Sequence, residues 1–176
     1  GRLDQLANKG AITFFFNSIW PQLSDRVKQI EIDVVGKNPP AWLRELSQRD
    51  PYVHVPGFVD DVRPYFQKAT VFVCPITDGG GTRLKILDAL AMGMPVVSTT
   101  FAASGLALRD GAHLLIADTA ETFLEQIVRL LADTDLRQRL AQGAVDAVRQ
   151  TYSWDTIGHS LVAAYEEAAA RKIKGC

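Results

Sequence analysis

DGGGTRLKILDALAMGMPVVST, residues 78–99, passes from three consecutive glycines into a helical pattern and on into an apolar strand. The apolar run Val71, Phe72, Val73, Cys74 precedes it, so the glycines belong at the carboxyl end of a buried strand, the edge at which α/β sheets bind ligands. Backbone without Cβ atoms lets an anion approach closely. With Thr82 as N-cap, the pattern predicts a helix over 82–92 that stops at Gly93 and Pro95, and Arg83 and Lys85 fall in its first turn. A cation there opposes the helix dipole by a few tenths of a kcal/mol up to ~1. Two of them suggest that the negative partner comes from outside, with a diphosphate the natural fit. The plainer reading pairs Lys85 with Asp88 one turn on and leaves Arg83 in solvent.

Working outward, strand-like runs at residues 30–35, 52–55, 70–74, 95–99 and 114–117 alternate with helical patterns at 10–23, 40–48, 62–68 and 82–92. That alternation is the signature of a parallel sheet covered by helices on both faces, a Rossmann-like doubly wound α/β fold. Beyond Asp118 the pattern is wholly helical. Phe123, Ile127, Leu130 and Leu131 share one face, and Leu136, Leu140, Ala144 and Val148 share the next. A last helix is expected from about Trp154 to Arg171, with Ile157, Leu161 and Tyr165 on a buried face. In a doubly wound sheet the first strand is central. It is expected to lie upstream of Gly1, with residues 11–16 helical; the alternative is that 11–16 themselves form it.

The 176 residues, 47% of them hydrophobic, suffice for a single domain, 1–176, with a full core. A net charge of −1 gives no basic footprint for nucleic acid or an anionic membrane surface, so an anion site has to be local. Cys74 lies inside an apolar strand and Cys176 is terminal, which gives neither a disulfide framework nor metal spacing and fits a reducing, cytoplasmic setting. No apolar run approaches the ~20 residues that span a bilayer. The chain begins without methionine, as a fragment or processed chain does.

Candidate chemistry gathers in two places. One is Gly80, Gly81, Thr82, Arg83, Lys85 and Asp88, whose carboxylate could accept hydrogen bonds from vicinal ribose hydroxyls. The other is Gly1-Arg2-Leu3 with Lys9-Gly10, just ahead of a helix expected to start near Lys9. With a strand upstream, that junction forms a second loop at the same end of the sheet. His54, His113 and His159 do not cluster and read as structural or solvated. No residue stands in a recognisable nucleophile setting. The glycine string has neither a P-loop ending nor dinucleotide spacing.

Taken in order, GRL with KG near the start, VVG at 34–36, VHVPGFVDDVRPYFQKATVFVCP at 53–75, LDALAMGMPVVST from Leu87 and YSWDTIGHSL at 152–161 resemble the C-terminal, donor-binding half of the GT-B-type retaining glycosyltransferases of group 1. The resemblance implies transfer of a sugar from a nucleotide-diphosphate donor to an acceptor, in polysaccharide or glycoconjugate assembly. It implies that Arg2 and Lys9 hold the diphosphate, catalytically, and that no metal or other cofactor is required. Asp88 takes the place of the second of the family's two glutamates, which binds ribose. Gly80 takes the place of the first, so the usual contact to the donor sugar is missing. Thr82, Arg83 and Lys85, in a GTRLK loop found in a subset of the family, would assist the phosphates, and the base would lie near residues 56–59. The acceptor site, with any peripheral membrane contact, would belong to an absent N-terminal domain, leaving this piece to bind nucleotide and turn over little or nothing. Two other readings remain: half of a nucleotide-sugar epimerase, or a non-catalytic interaction module.

Overall fold

A computed structural model describes residues 1–174, and side chains through residue 169; Cys176 lies outside the described residues. The chain opens with a helical rod built from α1 (Leu6–Phe14), a π-helical turn (Phe15–Ile19) and α2 (Trp20–Arg26). Residues 11–16 are therefore helical, as their spacing predicts. The wide turn sits immediately before Pro21, whose missing N–H and ring disturb the regular ladder. Phe15, Phe16, Ile19, Trp20 and Leu23 turn inward, and Phe15 meets Phe16 edge to face at 5.5 Å.

Five parallel strands follow: β1 (Ile32–Val35), β2 (Val53–Gly57), β3 (Phe72–Cys74), β4 (Val96–Ser98) and β5 (Leu115–Ile116). Helices α3 (Ala41–Arg49), α4 (Arg63–Lys68), α5 (Leu84–Ala91) and α6 (Thr100–Ala103) connect them. The α/β class expected from the alternation is the one observed. The single sheet is instead two hydrogen-bonded pieces, β1–β2 and β3–β4–β5. Between β1 and β3 runs a groove of about 640 Å³. Burial records the gap. All three β4 residues are buried, whereas all four residues of β1 are only half-buried, although an apolar run in a parallel sheet is ordinarily covered on both faces.

Core side chains come from both layers. Phe123, Ile127 and Leu130 of α7 (Ala120–Ala132) join Ile19, Leu43, Val53 and Val97, while Ile86, Ala89 and Leu90 of α5 join Val96, Leu114 and Ala144. Thr119 caps α7 in a reciprocal box with Thr122, and Asp133 caps α8 (Thr134–Tyr152) through the Leu136 N–H.

The last helix, α9 (Trp154–Lys174), corrects one expectation. Ile157, Leu161 and Tyr165 are 42%, 55% and 70% exposed, and Trp154 is 87% exposed. The four-residue spacing is real, but no element among the described residues covers that stripe. Periodicity marks an apolar face and says nothing about what lies opposite it.

Candidate functional site

Because the strands run parallel within each half-sheet, the loops after β3 and β4 emerge at one edge. The glycine loop follows β3. Gly79 and Gly81 have φ of +92° and +83°, in the left-handed region that disfavours side chains, so the tight turn into α5 requires glycine there. Gly79 also packs against α1, since a Cβ on it would stand 3.0 Å from the Ala7 Cβ.

Arg83 is the N-cap of α5, one residue later than the expected Thr82, and no side chain caps this helix. Its guanidinium folds back into the loop. Nη1 donates to the carbonyls of Gly80 and Gly81 at 2.5 and 2.8 Å, and Nη2 donates to those of Asp78 and Gly79 at 3.1 and 2.8 Å. The side chain that was expected in solvent or on a phosphate thus holds the loop's shape, and its buried Nε has no hydrogen-bond partner.

Lys85 lies in the first turn of α5, half-buried, and does not pair with Asp88. Its Nζ donates instead to Asn8 Oδ1 at 2.5 Å. Asn8 Nδ2 donates in turn to the Arg2 carbonyl at 2.6 Å, so one amide side chain links the amino-terminal loop to the helix behind the glycines. Burial, and secondarily the Arg83 charge, pull the Lys85 amine below its ordinary value, with Cys74 opposing. A half-buried ammonium held by a neutral amide is short of negative charge.

The amino-terminal loop is fixed by backbone. The Lys37 N–H donates to the Gly1 carbonyl and the Leu3 N–H to the Lys37 carbonyl, each at 2.8 Å, a parallel bridge that continues β1. Gly36 permits it, because a Cβ there would fall 2.5 Å from the Gly1 carbonyl oxygen and 2.7 Å from Leu3. Helix α1 starts at Leu6, ahead of the expected Lys9, so Lys9 lies within it, exposed. Arg2 is engaged by Asp4, with Nη2 2.8 Å from Oδ2 and Nε 3.1 Å from Oδ1. The Arg2 guanidinium, with Asn38 adding a further hydrogen bond, holds the Asp4 carboxyl well below the usual carboxylate range.

The two loops expected at one end of the sheet therefore stand together, and Gly1, Asn8, Lys85 and Asp88 line the mouth of the groove. Asp88 is exposed and makes no ion pair among the described residues. Gly80, Gly81 and Thr82 are exposed on the loop. Asn8 and Lys37 are the members that sequence reasoning missed. Neither carries a local signal, since each earns its place through a residue distant in the chain. Lys37 Nζ also sits 4.0 Å over the exposed ring of Phe58, beside the segment proposed for the base. The histidines stand apart: His54 is 3.5 Å from Glu31, His113 Nδ1 accepts from the Arg109 N–H, and His159 is exposed on α9.

Residues 1–133 match the family described as glycosyl transferases group 1. Among curated proteins, the phosphatidyl-myo-inositol mannosyltransferase of Mycobacterium leprae is 27% identical over 159 residues, which cover 88% of this chain and 42% of that protein. The lipopolysaccharide core biosynthesis glycosyltransferase LpsE of Rhizobium meliloti is 34% identical over 107 residues, 60% of this chain and 31% of its own. The chain thus spans less than half the length of these curated relatives. Among solved structures, the C-terminal domain of the group 1 glycosyl transferase LpcC from Francisella tularensis superposes with TM-score 0.69 at 21% identity, covering 83% of this chain and 82% of that one. Anabaena Alr3699/HepE in complex with UDP gives TM-score 0.77 at 16% identity, covering 95% and 47%. A GT-B-like α/β fold, the paired loops and the family match agree, and the chain belongs to the group 1 glycosyl transferases.

Proposed function

We propose that this chain is the nucleotide-sugar-binding half of a retaining glycosyltransferase, acting in the cytoplasm in polysaccharide or glycoconjugate assembly. The observation that carries the reading is the meeting of the glycine loop, Lys85 and the Gly1–Leu3 loop at one groove mouth, with the Lys85 ammonium hydrogen-bonded to a neutral amide. A diphosphate there would supply the missing negative charge. The relatives that match are glycosyltransferases, and a structural neighbour was solved with UDP. That company favours transfer over epimerisation.

In the reaction, the bond from the anomeric carbon to the diphosphate breaks and a bond to an acceptor oxygen forms. Lys85, already desolvated and positioned, would stabilise charge on the departing diphosphate at little reorganisation cost. Arg2 could join after exchanging Asp4 for phosphate, a small step because an exposed ion pair is worth ~0–1 kcal/mol. Lys9 would contribute long-range attraction from the surface of α1. Asp88 would accept the ribose hydroxyls, Gly81 and Thr82 would shape the turn about the phosphates, and Gly80 would leave the sugar without a carboxylate contact. The acceptor would be held by a companion domain, consistent with the length of the relatives. No described helix is long and apolar enough to cross a membrane.

Calorimetric titration with uridine, guanosine and adenosine diphosphates tests this directly. One of the three should bind, and Lys85→Met should weaken it by about 1.5–3 kcal/mol, the range of a hydrogen bond to a charged group. Absence of binding by all three would leave the interaction-module reading standing.

A further inference from the structure

Asn8 joins two elements with one short side chain. It is the third residue of α1, where a polar side chain ordinarily turns back to the N–H of its own helix cap. Both of its polar atoms go elsewhere. Nδ2 donates to the Arg2 carbonyl at 2.6 Å, and Oδ1 accepts from Lys85 Nζ at 2.5 Å. The partners fix which end of the amide points where, because an ammonium can only donate and a backbone carbonyl can only accept. Of the side chains with this branched shape, leucine has no polar atom and ionised aspartate has no donor. Asparagine alone serves both partners and carries no charge.

Its place in the fold gives that neutrality a consequence. The bridge joins the first turns of α1 and α5, and neither turn contains an acidic residue. Ala7, the neighbour of Asn8, lies against Gly79, so the same turn of α1 seats the glycine loop and holds Lys85. Among the described residues Lys85 makes no ion pair. Burial and then the Arg83 charge disfavour its protonated form, and only Cys74 acts the other way. A carboxylate at position 8 would relieve this shortage of negative charge from within the chain. An amide leaves it for a ligand to relieve.

We propose that Asn8 is a positioning residue for the diphosphate site: it holds the Lys85 ammonium at the groove mouth through a neutral oxygen, aimed but not neutralised. The inference rests on the reading of that mouth as a nucleoside-diphosphate site. Asn8 needs no contact with the ligand, because it acts through Lys85. A charge fixed in place before the ligand arrives stabilises the diphosphate without reorganisation, whereas a lysine already paired with a carboxylate has first to give that partner up. Stability and affinity therefore oppose each other at position 8.

The test titrates the full chain, Asn8→Asp, Asn8→Ala, Lys85→Met and the Asn8→Ala/Lys85→Met pair with uridine, guanosine and adenosine diphosphates, and records the thermal midpoint of each variant. With the diphosphate that binds the full chain, Asn8→Asp should weaken affinity about tenfold or more while its midpoint equals or exceeds the parent's. Asn8→Ala should weaken affinity about fivefold or more. In the Lys85→Met background the same change should cost less than about twofold, because the side chain removed acts through that lysine. Unaltered affinity in Asn8→Asp, losses of affinity that follow the midpoint across the variants, or additive losses in the pair each overturn the proposal. If the full chain binds none of the three diphosphates, the reading of the site falls and this inference falls with it. If the full chain binds and the losses are additive, the site reading stands and only the role of Asn8 is overturned.

Discussion

Two cations two positions apart in the sequence, Arg83 and Lys85, end in different roles. The Arg83 guanidinium gives all four of its terminal N–H donors to loop carbonyls. Arg83→Lys should therefore loosen the loop, because an ammonium cannot match a planar fork across four carbonyls. Limited proteolysis should show faster cleavage within residues 78–82, and nucleotide affinity should fall as a secondary effect of about 1–2 kcal/mol. Lys85 keeps its charge in a half-buried place. Its folded-state value lies below the ordinary 10.5, so the unfolded chain binds the proton more tightly and stability rises with pH between the two values. Lys85→Met should raise the thermal midpoint at neutral pH, and the difference from the parent should shrink as pH approaches 10.5. A constant difference across that range would sink the burial argument. Asp88 supplies a separate check. With no ion pair to lose, Asp88→Asn should leave the thermal midpoint within the ±0.5 kcal/mol of a surface change while costing nucleotide affinity ~1–3 kcal/mol.

Elements meet at this site through close backbone approach. Gly36 ends β1 where the Gly1–Leu3 segment crosses, and a Cβ would stand 2.5 Å from a backbone oxygen, which cannot swing aside as a side chain can. Gly36→Ala should destabilise by about 1–3 kcal/mol through overpacking and should detach the amino-terminal loop from Lys37. Loss of amide protection at Leu3 and Lys37, read by exchange, would report that detachment. The π-helical turn before Pro21 makes a related point. Phe15, Phe16, Ile19 and Trp20 have the spacing of one helical face and are all buried, so the wide turn next to the proline does not interrupt that face.

For the molecule as a whole, the described residues leave two apolar surfaces uncovered, the groove between the half-sheets and the stripe on α9. The stripe contributes little to this domain's own stability. Replacing Ile157, Leu161 and Tyr165 together by serine should shift the unfolding free energy by only about ±0.5 kcal/mol, the range for surface positions, where a core residue such as Phe123 would cost ~3–5. Chemical denaturation of the triple variant checks this. A large loss would mean that the stripe is covered in solution by part of this chain.

Alternating apolar runs and helical spacings made the parallel α/β class legible, and three glycines after an apolar run marked the loop, because strand, helix and turn preferences act over a few residues. The same local physics made 11–16 helical and ended α5 near Gly93. Which acceptors the loop residues reach was beyond it: the Lys85 ammonium finds Asn8 across 77 positions, and the Lys37 N–H finds the Gly1 carbonyl across the end of a strand. Asp88 and Lys85 have the spacing of a helix pair, yet half-burial and a nearby amide turn the lysine away. The exposed stripe of α9 has the period of a core face. Sequence determined which faces are apolar and where the backbone can turn; only the tertiary structure decided what stands opposite each face and each charge, since both depend on residues brought together from far along the chain.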